Sequence, residues 1–416
     1  MQRLILMSLL CCFSWLQGVS QEEAAWREAV GAEARRILDY WSTHAVDRSG
    51  SGFHGRVDLE NRPDRKAARS AVLNTRILWT YSAAGRHFQD ESYRPLADRA
   101  FVYLLEHFVD PIHGGVYWSV QPDGGVEDPS KQVYAQSFAI YAFAEYYHWT
   151  GEARALEEAT RIYDLLQTYA LDTEYGGYLE AFHRDWTDSE DRYLTGGEAG
   201  AEKTMNTHLH LLEAFSKLYE VWPRAELRQR LEDMIGIFQH RIYDGSNGHL
   251  ELFFARDWTV LGDYISFGHD IEASWLLMEA AERLGHQWPE TIRPLSMRMA
   301  ETSLEEGLDA DGALLYEAEP HGLTRTEKSW WPQAEAMVGF YQAYQLSGEA
   351  RYHLASRQVW GFIDAHLADR EGGEWFSMLD RDRLLLGSND KVSAWKAPYH
   401  NTRACLEMHR RLGGGH

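Results

Sequence analysis

Three histidines sit in short segments that resemble one another: Met205-Asn206-Thr207-His208-Leu209-His210, Phe267-Gly268-His269-Asp270-Ile271-Glu272 and Tyr399-His400-Asn401-Thr402-Arg403. Each opens a stretch with the apolar period of a helix. Imidazole titrates near neutral pH, so histidines gathered in one pocket can take and give protons without a metal or an organic cofactor. His269 and Glu272 stand at i and i+3 and share a helix face, which places the carboxylate to hold the imidazole and raise its basicity. Asn206 and His210 stand at i and i+4 and also share a face. His208 points to nearly the opposite side and suits packing, so His210 is favoured as the third histidine. His210, His269, His400 and Glu272 could in principle bind Zn²⁺ or Mn²⁺. Apart from His208-Leu209-His210, however, the segments hold no tight ligand pair, and no metal is expected. No nucleotide-binding glycine fingerprint, P-loop or Gly-x-Ser-x-Gly elbow is present.

The elements that must position these groups repeat. Glycine turns recur at Gly52-Phe53-His54-Gly55, Gly114-Gly115, Gly176-Gly177, Asn247-Gly248, Gly312-Ala313 and Gly372-Gly373, roughly 60–70 residues apart. That period is too long for most common solenoids. Asp110, Asp172, Asp244, Asp309 and Asp369 stand beside them. Between turns lies a helix rich in aromatic and small apolar residues, such as Tyr134–His148, Asn206–Val221 and His269–Leu284. Four of these are expected to end at Gly85, Gly151, Gly285 and Gly348. A more charged helix follows, such as Tyr93–His107, Ala153–Tyr169 and Arg351–His366. Six pairs of one apolar and one polar helix predict an all-α fold: a closed (α/α)6 barrel with short β-hairpins at one end. It is read as one domain over 21–416, since no Pro/Gly/Ser-rich linker divides the chain. An open α-solenoid is the weaker alternative.

Aligned by their starts, the apolar helices would aim Arg76, Tyr134, Asn206, His210, His269, Glu272, Trp331 and His400 at one cavity. Arg76 lies on a mostly apolar helix, where an unpaired cation is costly, so it needs an anionic or polar partner. Trp331 and Trp395 could be core but suit stacking against a sugar ring, in a chain with 16 Trp and 22 Tyr.

The formal net charge is −22 and no basic run stands out, which argues against nucleic-acid or anionic-membrane partners. Met1-Gln2-Arg3, an apolar Leu4–Trp15 and the small residues Gly18-Val19-Ser20 read as a secretory signal peptide over 1–20, cleaved before Gln21. The mature chain would be periplasmic or secreted, with no membrane attachment, and is expected to be a monomer. Cys11 and Cys12 leave with the leader and Cys405 remains, so no internal disulfide can form.

Ser266-Phe267-Gly268-His269-Asp270-Ile271-Glu272-Ala273-Ser274-Trp275 resembles the central motif of the N-acylglucosamine 2-epimerase superfamily. Lys328-Ser329-Trp330-Trp331-Pro332-Gln333-Ala334-Glu335 and Trp395-Lys396-Ala397-Pro398-Tyr399-His400-Asn401-Thr402-Arg403 are similar to later motifs of its cellobiose 2-epimerase branch. Asn206–Ala214 and Leu73–Trp79 are similar to its earlier ones. The resemblance spans nearly all of the mature chain. It implies an (α/α)6 barrel without cofactor that inverts C2 of the reducing-end glucose of a β-1,4-linked disaccharide. His269 and His400 would be the acid/base pair, supported by His210, Glu272 and Arg76. Asn206, Tyr134, Trp331 and Trp395 would contact substrate. A leader is the departure, since familiar members are mostly intracellular. Alternatives are a mannose or N-acetylglucosamine epimerase or isomerase, an (α/α)6 glycoside hydrolase using carboxylates such as Asp270 or Glu335, and a non-catalytic sugar-binding protein.

Overall fold

The computed structural model describes residues 2–189, 200–319 and 322–414, and of 2–20 only the backbone. The side chains of the expected leader therefore lie outside the described residues; its backbone from Gln2 onward belongs to the first helix. Twelve α-helices alternate along the described chain: α1 Gln2–Tyr40, α2 Ala71–Phe88, α3 Arg94–Tyr103, α4 Val133–Thr150, α5 Ala153–Leu165, α6 Met205–Val221, α7 Ala225–Ile237, α8 Phe267–Leu284, α9 Trp288–Thr302, α10 Trp330–Ser347, α11 Ala350–Phe362 and α12 Tyr399–Leu412. The even-numbered helices pack in sequence around a ring, and α12 closes it against α2. Each odd-numbered helix packs outside: α3 on α2, α5 on α4, α7 on α6, α9 on α8, α11 on α10, and α1 on α12. Closure rules out the open solenoid and gives the expected (α/α)6 barrel.

Sequence dictates which ring a helix joins. α5 buries Ala155, Ala159, Ile162 and Tyr163, a single stripe facing inward, as an outer helix should. α2 buries every residue from Ala71 to Gly85. Its aliphatic hydroxyls are satisfied within the helix: Thr75, Thr80 and Ser82 donate to the carbonyls of Ala71, Arg76 and Leu78. Gly151 and Gly348 end α4 and α10 in the left-handed conformation. Gly85 departs from expectation. It lies inside α2, which runs on to Phe88 and is capped by Gln89. A Cβ there would come within 2.3 Å of the Trp149 ring, so this glycine serves close packing rather than termination.

Each outer helix ends in a five-residue π turn, a widening the sequence did not announce. An aspartate then opens the glycine turn, and the chain returns as a short antiparallel hairpin. In five of six units a buried cation just before the next inner helix grips that aspartate: Arg69–Asp47 at 2.6 Å, Lys131–Asp110 at 3.1 Å, and Lys203–Asp172, Lys328–Asp309 and Lys391–Asp369 each at 2.8 Å. The fourth unit instead uses Asp270, which takes His249 at 2.8 Å and the Leu250 N–H at 3.0 Å. These clasps fix the start of each inner helix against the hairpin before it.

Glu180 fixes the start of α6. It accepts the Thr204 N–H at 2.7 Å, the Thr204 hydroxyl at 2.9 Å and the Thr207 hydroxyl at 2.7 Å. Burial raises its pKa from 4.5 to about 7. The folded protein thus holds this proton more tightly than the unfolded chain. The contribution is complete below the unfolded pKa and is lost as pH rises through about 7. Glu180→Gln is therefore expected to raise stability at pH 8 by up to about 3 kcal/mol and to change it little at pH 4.5. Melting curves at the two pH values check this, and an equal shift at both would contradict it.

Candidate active site

The inner helices point their N-termini at the hairpin end of the barrel, where they surround a cavity of about 370 Å³. Its lining includes all nine residues singled out in the sequence: Arg76, Tyr134, Asn206, His210, His269, Glu272, Trp331, Trp395 and His400. Tyr316, Ser329, Trp330 and Met378 complete it. Larger hollows lie elsewhere among the described residues. One of about 680 Å³ sits beside α7 on the outer wall. Another, of about 420 Å³, lies toward the opposite end of the inner helices and meets the site from behind, through Glu213 and Arg403. Neither gathers the histidines. Six helix N-termini around one pocket also favour negative charge there.

The three histidines differ in what holds them. His400 Nδ1 lies 2.6 Å from Glu335 Oε1, and His210 Nδ1 lies 3.0 Å from Glu213 Oε2. His269 Nδ1 meets the Ser266 hydroxyl at 2.7 Å. The expected His269–Glu272 pairing is therefore corrected. Ser266 opens α8 without capping it, so its hydroxyl is free to take the ring. Glu272 turns instead to Arg403 Nη2 at 2.6 Å and lies 3.9 Å from His400 Nδ1. His208 faces the hairpin: it accepts the Tyr178 N–H at 3.0 Å and donates to the Thr204 carbonyl at 2.7 Å. It is structural, as its direction on the helix suggested.

Among the described residues Arg76 finds polar partners but no carboxylate. It donates to the Tyr134 hydroxyl at 2.9 Å and the Trp395 carbonyl at 3.1 Å, over the Phe138 ring at 4.4 Å. Trp331 leans on His269 with ring centroids 4.7 Å apart. Gly268 makes room for it, since a Cβ there would come within 2.5 Å of the indole. Trp395 meets Tyr134 edge-on at 5.7 Å. Five buried polar atoms of the lining residues have no partner among the described residues: Arg76 Nε, Asn206 Oδ1, Glu272 Oε2, Ser329 Oγ and Trp330 Nε1. Donors and acceptors are both among them, which suits a ligand carrying many hydroxyls.

Burial pushes all three imidazoles toward neutrality. His269 falls to about 3 through burial and then the charge of His210. His400 is held well below its ordinary value by burial, Arg76 and Arg403, and His210 is lowered by burial against the pull of Glu213. Burial would raise Glu213, but Arg403 and His210 hold it at about 2. Glu272 and Glu335 move the other way, raised by burial; for Glu272 the charge of Glu335 adds to this.

Glu272, Glu335 and His400 offer ligand atoms within 4.8 Å of one another, so a metal has to be considered. Arg403 Nη2 bonds both carboxylates, at 2.6 and 2.7 Å, and supplies the cation at that point. The donor set does not fit a metal.

Glu213, Glu335, Tyr399 and Arg403 form the layer beneath the pocket and were missed as a group. Arg403 and the Tyr399 hydroxyl both bond Glu213. A signal did exist. Counting six residues from the N-caps Ser70, Thr204, Ser266 and Ser329 lands on Arg76, His210, Glu272 and Glu335.

The N-acylglucosamine 2-epimerase family model matches residues 52–404. A cellobiose 2-epimerase of Bacteroides fragilis is 42% identical over 375 residues, covering 90% of this chain and 95% of the relative. The solved cellobiose 2-epimerase of Spirochaeta thermophila superposes with a TM-score of 0.88 at 39% identity, covering 95% of this chain and 98% of its own. That of Bacillus thermoamylovorans gives 0.90 at 34% identity, covering 93% and 100%.

Proposed function

The chain belongs to the N-acylglucosamine 2-epimerase family, and from that premise we propose that it acts as a cellobiose 2-epimerase. It inverts C2 of the reducing-end glucose of cellobiose or lactose, and returns mannobiose-type epimers in reverse. The observation that carries this is that His269 and His400 line one pocket together with five polar atoms that lack a partner among the described residues.

C2 of a closed pyranose is not acidic, so the ring opens first, with a histidine moving a proton between O1 and O5. One imidazole then takes the C2 proton and leaves a cis-enediolate. Arg76, whose nearest partners are a phenol and a carbonyl, faces that negative charge together with the helix N-termini. Rotation about C2–C3 presents the other face, and the second imidazole returns a proton. His269 and His400 take these two roles. His210, held by Glu213, serves the sugar oxygens; Trp331 and Trp395 stack on the sugar rings, and Asn206 and Tyr134 bind hydroxyls.

Incubation with cellobiose, mannobiose, mannose and N-acetylglucosamine, followed by product separation, tests the reading. Cellobiose is expected to give its mannose epimer with no monosaccharide; free glucose would contradict it in favour of hydrolysis. Activity is expected to survive a chelator. Loss restored by Zn²⁺ or Mn²⁺ would contradict the placement of Arg403 as the resident cation.

We further propose that residues 1–20 are a leader removed on export and that the mature enzyme works as a monomer outside the cytoplasm. The exported protein is then expected to begin at Gln21 by mass spectrometry. No helix among the described residues is long and apolar enough to cross a membrane.

A further inference from the structure

His269 and His400 face one pocket with unequal backing. The Glu335 carboxylate behind His400 is fully buried. It is held in place by Arg403 Nη2 at 2.7 Å and, on its other oxygen, by Trp275 Nε1 at 3.1 Å. Its 2.6 Å contact reaches His400 Nδ1, the nitrogen that cannot also serve the substrate. His269 has only the Ser266 hydroxyl at that position. We propose that Glu335 is a positioning residue for the C2 inversion: it fixes His400 as the Nδ1–H tautomer, aims Nε2 at the sugar, and stabilises the imidazolium that forms there. This rests on the epimerase reading above.

The protons balance as follows. In one direction His269 Nε2 takes the C2 proton and the C–H electron pair passes into the enediolate. His400, charged as imidazolium beside ionised Glu335, gives its Nε2 proton to the opposite face, and the enediolate pair forms the new C–H bond. In reverse the roles exchange. Burial raises Glu335 and Glu272 and lowers His400, so the extra proton belongs to this cluster rather than to one member of it. The triad principle is the same: a buried carboxylate behind an imidazole sets its tautomer and steadies its charge.

Glu335→Gln keeps the size of the side chain and removes the charge. It is expected to lower kcat about a hundred-fold with KM within roughly threefold of the parent. A general structural role would slow both proton transfers alike; this one slows only the His400 step. The kinetic isotope effect from C2-deuterated sugar should therefore grow when one epimer is the substrate and shrink toward unity when the other is. Ser266→Ala should skew the two effects the opposite way, with a loss of kcat under about tenfold. Isotope effects that stay in the parent ratio would overturn the proposal, as would a kcat within threefold of the parent. Should Glu335→Gln fail to fold, ¹⁵N-histidine NMR on the unaltered protein decides. A His400 proton on Nδ1 upholds the assignment, and a bare Nδ1 with the proton on Nε2 alone overturns it. If the unaltered protein does not epimerise cellobiose, the functional reading falls, while the tautomer still settles the Glu335–His400 relation.

Discussion

His269→Asn and His400→Asn each lower kcat for cellobiose epimerisation by about 10³-fold or more, while the protein stays folded. Each histidine supplies or accepts the proton on one face of C2. A positioned acid or base contributes about 10²–10⁴-fold, and inversion needs both. The fold should survive because the lost contacts are few. His269 gives up one hydrogen bond to Ser266. His400 leaves Glu335 still bonded to Arg403 and Trp275. Initial rates and melting temperatures together check this. Residual turnover within tenfold of the parent in either variant would remove the two-base scheme.

Arg76→Met is expected to separate activity from stability in opposite directions. The guanidinium is almost fully buried, its Nε has no partner among the described residues, and its hydrogen bonds go to a phenol and a carbonyl rather than to a carboxylate. An uncompensated buried cation costs stability, so its removal should leave the melting temperature unchanged or raise it. The same feature leaves its charge available for the enediolate. Removing one such donor costs about 10²–10³-fold in kcat. The loss should fall mainly on kcat, since the charge appears only after C2 is deprotonated. Arg76→Lys should restore little, because a single ammonium cannot span the Tyr134 hydroxyl and the Trp395 carbonyl as the planar fork does. A variant that melts much lower, or that raises KM alone, would contradict this account of Arg76.

Much of this was legible in the chain. The glycine turns and the alternation of apolar with charged helices led to the closed double ring. The aligned helix starts led to the pocket lining, because in a repeat the same position faces the same place. The favouring of His210 over His208 also agrees with where the two rings point, since their directions follow from helix geometry alone. Side-chain partners were less legible. Sharing a face puts Glu272 near His269, but it does not decide which of several neighbours wins a hydrogen bond. Here Ser266 took the ring and Arg403 took the carboxylate. Arg403 reaches Glu213, Glu272 and Glu335 from a different unit, so no local pattern could reveal those pairings. The π turns and the Lys–Asp clasps are likewise products of packing between units. Gly85 shows the same limit: a glycine near a helix end reads as a cap until the Trp149 ring against it is seen.

The central claim is that two histidines exchange the C2 proton with solvent-derived protons across an enediolate. Epimerisation of unlabelled cellobiose in D₂O, with the product examined by NMR and mass spectrometry, tests it most directly. The account predicts one deuterium in the mannose epimer, at C2 and nowhere else bound to carbon. A product that keeps its original hydrogen at C2 would contradict it.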